Sequence, residues 1–154
     1  MLKYNFFSRV LIAALLSISS VRTVSAEQTA TLTVVVEGIS NQNGEICMGI
    51  YSSPKGFPMN TEEVVESACV KPVGSSLTYN FYGLKLGNYA VVVVDDQNGD
   101  RKLNTNFLGI PKEGFGISRN PTVSIATGTP SFYDASFMLM QNTTTNILMK
   151  YSLD

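Results

Sequence analysis

Alternation of apolar and polar residues with a period of two limits the fold of this chain more than any other feature. In "TLTVVVEG", Leu32, Val34 and Val36 share one side of an extended strand, with Thr31, Thr33 and Glu37 on the other. In "EICMGIYS", Ile46, Met48 and Ile50 point one way and Glu45, Cys47 and Tyr51 the other. Successive side chains of a strand leave opposite faces, so this pattern describes half-buried strands and not helices. Between the two runs, "SNQNG" carries an Asn-Gly pair suited to a tight turn, so an opening hairpin is expected.

The alternation recurs in "SACVKPV" and "SLTYNFYG". "YAVVVV" (Tyr89 to Val94) is instead continuously apolar, as expected of a central strand covered on both faces. "SSPKGFPMNTEEVVES" interrupts the series: Pro54, Gly56 and Pro58 exclude a central strand, and Asn60 followed by Glu63 resembles a helix cap, predicting one or two helical turns over 61–66. From Asp95 to Pro130 the chain reads mostly as loop, with "TVSIAT" (Thr122 to Thr127) as a short strand. "YDASFMLMQ" and "TTNILMKYSL" are expected to close the chain as a second hairpin. Six to eight short strands with evenly spaced turns predict one antiparallel β-sandwich over residues 27–154, with a long loop region after the central strand. "LKLGNY" supports the sandwich, because Leu-x-x-Gly-x-Tyr entering a central strand looks like the tyrosine corner of immunoglobulin-like and transthyretin-like folds. An OB-type barrel is the alternative.

The first 26 residues read as an export signal: Lys3 and Arg9, then the apolar stretch "VLIAALLSIS", then small residues ending at Ala26. The apolar stretch is shorter than a membrane span requires; an N-terminal anchor is the competing reading. An exported chain implies a periplasmic or extracellular location. The segment holds three of the 11 basic residues and no acidic one, leaving 8 against 12 and a formal charge of −4 for the remainder. That balance gives no footprint for nucleic acid, and no second apolar run is long enough to cross a membrane.

The chain contains no histidine. Ser-His-Asp and Cys-His catalysis are therefore excluded, and with no histidine and only two cysteines a buried zinc site is not expected. An even cysteine count in an exported chain predicts a Cys47–Cys69 disulfide, both residues falling on outer strand faces; free thiols are the alternative.

One stretch carries candidate chemistry. "DDQNGDRKLN" (Asp95 to Asn104) directly follows the apolar strand. Calcium loops set oxygen ligands at positions 1, 3, 5, 7 and 9 and a glutamate at 12. Counted from Asp96, these are Asp96, Asn98, Asp100, the Lys102 carbonyl and Asn104. Arg101 stands where the turn glycine belongs and Phe107 where the glutamate belongs. Asp95, Glu113 or Asp134 are the residues that could complete a Ca²⁺ site. The competing reading is a polar turn in which Asp and Asn side chains bond their own backbone. Beyond it, Phe107, Phe115, Gly109, Gly114 and Gly116 form either an aromatic ligand surface or, with Leu108 and Ile110, a loop pinned over the end of the sandwich.

The run "GLKLGNYAVVVVDDQNGDRKLNTNFLGIPKEGFGISRN", with "GTPSFYDASFML" after it, resembles the bacterial family known as domain of unknown function 2141. The similarity extends over roughly Ala30 to Tyr151. It implies an exported, single-domain, β-rich protein and supplies no activity. Arg101 and Asn104 depart from the family's more acidic and glycine-rich loop toward a weaker cation site. Two function classes follow: a non-catalytic binding or structural module, and a carboxylate-dependent hydrolase of glycan or envelope material using Asp95, Asp96, Asp100, Glu113 and Asp134.

Overall fold

The computed structural model describes residues 27–40 and 42–154. The segment read as an export signal lies outside them. The described chain is all-β with almost no helix: β1 (Thr29–Glu37), β2 (Glu45–Tyr51), β3 (Glu66–Val70), β4 (Ser76–Lys85), β5 (Gly87–Asp96), β6 (Phe115–Ile117), β7 (Phe137–Leu139) and β8 (Thr143–Leu148), with the one-turn helix α1 (Phe132–Ala135) before β7. Among these residues no helix is long and apolar enough to cross a membrane.

Two open sheets form. One has the order β4-β1-β8; the other runs β3-β2-β5-β6, with β7 pairing the start of β5. Their inner faces share one core, in which Leu32, Val34 and Val36 of β1 meet Ile46, Met48 and Ile50 of β2 and Val91 and Val93 of β5. Each of these aliphatic side chains stabilises the fold by about 1.5–3 kcal/mol when fully buried. The faces are those expected from the alternation. β5 is buried on both sides, because its other face (Ala90, Val92, Val94) belongs to a second cluster with Tyr51, Ile117, Phe132 and Ala135.

The pairings depart from expectation. β1 and β2 do not form a hairpin: they lie in different sheets, and the chain changes sheet between Glu37 and Glu45. Each strand buries its apolar face against the other sheet, which a flat hairpin would not allow. Gly44 is not a left-handed turn residue; a Cβ there would sit 2.2 Å from the Asp96 carbonyl oxygen, so glycine is needed for close backbone approach. The closing hairpin is also absent. β7 pairs with β5, and β8 runs parallel to β1, with Val34 opposite Thr145. The three-stranded sheet is therefore mixed, not antiparallel throughout. Thr122 to Thr127 is a turn, closed by Ser124–Thr127 hydrogen bonds, and not a strand. The expected helical turns shrink to a 3-10 turn, Thr61–Glu63, capped by the Asn60 side chain on the Glu62 amide.

Two expectations hold at atomic detail. Cys47 and Cys69 face each other across the β2·β3 ladder and are joined as a disulfide. The Tyr89 hydroxyl donates to the Lys85 carbonyl at 2.9 Å, tying the point where the chain leaves β4 for β5.

Candidate functional site

The acidic loop begins where β5 ends, and the strand's alternation separates its first two carboxylates. Asp95 continues the inner side of Val91 and Val93; Asp96 continues the outer side of Val92 and Val94. Both are buried, 1% and 2% exposed. Asp95 accepts a hydrogen bond from the Tyr151 hydroxyl at 2.8 Å and another from the Gln97 amide. The same tyrosine oxygen accepts the Ser40 backbone N–H at 2.9 Å. Burial raises the Tyr151 pKa above its usual value, so its hydroxyl stays protonated and donating at neutral pH.

Asp96 organises the loop's backbone. Its carboxylate accepts N–H groups from Asn98 at 3.3 Å, Gly99 at 2.8 Å and Arg101 at 2.8 Å. Gly99 and Arg101 have positive φ, 78° and 59°. Arg101 thus takes the left-handed turn that a glycine would adopt without steric cost, at a cost on the order of 1 kcal/mol.

A second knot forms around Asn104. Its side-chain nitrogen donates to Asp100 Oδ2 at 2.9 Å, the Lys102 carbonyl at 3.2 Å and Glu113 Oε2 at 3.2 Å. Asp100 also accepts the Lys102 N–H and the Asn98 amide. Glu113 accepts the backbone N–H groups of Gln97 and Asn104 at 3.1 and 3.0 Å. The Asn104 bond, followed by the Lys102 N–H, holds the Asp100 pKa below its usual value.

Of the five sequence-predicted ligands, the structure gathers Asp100, Lys102 and Asn104 at one point, with Asn98 reaching it through Asp100. Asp96 is turned instead to the backbone. Among the three residues considered for completing a Ca²⁺ site, Glu113 is the one brought to this knot. Asp95 faces the other side of the sheet. Asp134 forms the capping box of α1 with Ser131, which lowers its pKa. Tyr151 was not legible as a partner, since nothing local marks a tyrosine 56 residues from its acceptor.

Beyond the knot, residues 104–112 form a small finger, closed by Lys112 N–H to the Asn104 carbonyl at 2.8 Å. The two phenylalanines of this region part company. Phe115 is buried at 3% exposure, whereas Phe107 is 94% exposed at the tip and pins nothing.

Outside the five-stranded sheet lies a cavity of about 420 Å³. Its floor is the Cys47–Cys69 disulfide with Val92 and Val94; Met59 and Val64 wall one side and residues 100–103 the other. Sequence reasoning missed it, because it arises where two distant irregular segments lean over one sheet face. The Glu45 carboxylate lies within 4.8 Å of both cysteine sulfurs, but these are bonded to each other and are not thiolate ligands.

The family described as "Uncharacterized protein conserved in bacteria (DUF2141)" matches residues 34–147, and the chain belongs to it. No curated protein and no solved structure matches the chain.

Proposed function

We propose that this member of the bacterial family is an exported, non-catalytic binding module on an immunoglobulin-like or transthyretin-like sandwich, and that its ligand surface is the loop-roofed outer face of the five-stranded sheet. The observation that carries the reading is the cavity over the disulfide. Its volume falls in the usual range for small-molecule sites, about 300–1,000 Å³. Its floor is apolar, and its lining carries charges of both signs, Arg101 and Lys102 with Asp100 and Glu45. The Tyr89–Lys85 hydrogen bond supports the sandwich type. The N-terminal segment and the paired cysteines support export.

The acidic residues support binding over hydrolysis. Asp100 and Glu113 meet, but on the Asn104 amide, which fills the space that a water or scissile bond would need. Asp100 and Asp134 have lowered pKa values, opposite to the shift a general acid requires.

The test uses an apolar fluorescent naphthalene sulfonate as probe. It should bind the folded domain and be lost in Ser67→Phe, which fills the cavity from the exposed face of β3. Asp100→Asn/Glu113→Gln should retain it. Binding indifferent to Ser67→Phe would remove the site. For export, intact mass of protein recovered outside the cytoplasm should begin at Glu27; a species starting at Met1 would refute it.

A second reading, a weak calcium loop, is favoured by one observation: Asp100 Oδ2, the Lys102 carbonyl and Glu113 Oε2 converge on a single amide nitrogen. Rotation of that amide would add the Asn104 oxygen to the set. With so few anionic ligands, affinity belongs to the range of extracellular modules, about 10⁻⁴ to 10⁻³ M. On this reading Ca²⁺ raises the unfolding midpoint of the wild type, Mg²⁺ less so, and neither affects Asp100→Ala/Glu113→Ala. An unchanged wild-type midpoint leaves the loop a polar turn.

A further inference from the structure

The strand edges of this fold are not treated alike. The open edge of β8 is closed by one side chain: Asn120 donates to the Asn146 carbonyl at 3.2 Å and accepts the Leu148 N–H at 2.9 Å, standing in for a neighbouring strand. The outer edge of β6 is paired by Lys150, through bonds of 2.9 and 2.7 Å with Phe115. β3 is five residues long, opens on Glu66 and runs out into Lys71 and Pro72. Each is a way of keeping an edge from pairing with another chain.

β4 has almost none of these. It is ten residues long and lies at the end of its sheet, with β1 as its one strand neighbour. From Ser76 to Leu84 it has no charged residue and no proline. Among the described residues no side chain bonds to the backbone of Leu77 to Phe81. Its one irregularity is at the far end, where the register with β1 shifts between Ala30 and Leu32 and Gly83 has φ of 72°. That bulge leaves Ser76 to Phe81 as a regular, open edge.

We propose that this edge pairs with β4 of a second copy of the chain, antiparallel about a two-fold axis, to make a continuous six-stranded sheet. Self-pairing is favoured by the residues themselves. In an antiparallel pair centred on a residue, inner-face side chains meet inner-face side chains. Centred on Tyr79, Tyr79 would meet its own copy and Leu77 would meet Phe81 of the second copy. Phe81 is already buried, whereas Leu77 and Tyr79 are half-buried at the margin of the core, where no strand lies beyond them. On the other face, Thr78 would meet Asn80 and Ser76 would meet Tyr82, all uncharged. A strand bearing charge would repel its own copy here, and this one bears none.

Sedimentation of the wild-type domain over a concentration series tests the inference. The expected mass rises from monomer to dimer. Thr78→Lys/Asn80→Lys places like charges opposite each other in any such pairing and should stay monomeric over the same series. Both sites are exposed, and an unchanged far-ultraviolet spectrum and a cooperative melt check that the variant folds. Mixing it with Thr78→Glu/Asn80→Glu should restore dimer, as a heterodimer. A wild type that is monomeric throughout, or a lysine variant that dimerises as the wild type does, overturns the proposal.

Discussion

Tyr151 and Asp95, 56 residues apart in sequence, are joined by a 2.8 Å hydrogen bond at the end of the core. The tyrosine ring lies over Gly114, where a Cβ would come within 2.4 Å of it. One side chain thus fastens the C-terminal segment to the end of β5 and to the Ser40 N–H. Tyr151→Phe keeps the packing and removes the hydroxyl. A buried carboxylate then loses a donor, so the variant should be destabilised by about 1.5–3 kcal/mol, with an unchanged dependence on denaturant. Urea unfolding of the two proteins measures it.

The disulfide closes a loop with a sequence separation of 22. Chain entropy predicts that Cys47→Ser/Cys69→Ser loses about 3 kcal/mol, chiefly by freeing the unfolded chain. Denaturant midpoints of oxidised wild type and double variant give the difference. An equal midpoint would mean that the cross-link constrains nothing the sheet does not already hold.

Gly44→Ala should be among the most damaging small substitutions in the chain. Its new methyl would press on the backbone carbonyl of Asp96 at 2.2 Å, and backbone cannot swing aside as a side-chain tip can. A loss of about 1–3 kcal/mol is expected, with the acidic loop displaced as well. Gly44 has an in-built control in Gly74, where nothing lies within 4 Å of the added atom and the cost is confined to its positive φ.

Asp100 supplies a pH signature. Its folded pKa is held below 3.8, first by the Asn104 amide. Ionised Asp100 therefore favours the fold at pH above the unfolded value, and that contribution disappears as pH falls through the lower folded value. Asn104→Ala should move the Asp100 titration upward toward 3.8, read from its carboxyl carbon by NMR. A midpoint unmoved by the substitution would show that Asn104 does not set it and that Lys102 and Asn98 do.

Most strand positions and faces were legible because a period of two is a local property: Leu32, Val34 and Val36 announce their face without reference to anything distant, whereas β6, three residues within the stretch read as loop, is too short to show a period. Pairing is not local. Asn43-Gly44 looks the same whether it turns a hairpin or crosses between sheets, and only the packing of both apolar faces decides between them. The same holds for β8, whose parallel place beside β1 has no mark in "TTTNIL". Cys47 and Cys69 were legible as a pair because outer-face parity could be read from each strand separately. In the acidic loop the residue types pointed to a cluster, but not to which oxygen would serve the backbone. That division depends on Arg101 adopting a left-handed turn and on Glu113 returning from beyond the finger.

The parallel pairing of β1 with β8 also dictates an order of events. Thr31 bonds Asn142 across 111 residues, and β1 has β8 as one of its two neighbours. Contacts so remote in sequence must overcome a large loop-closure entropy before they stabilise anything, and they slow folding. β1 leaves a ribosome well before β8 and must therefore wait, half-paired, until Leu148 has followed it. Any chaperone or holding factor that meets this chain in transit meets it with β1 still lacking its second neighbour.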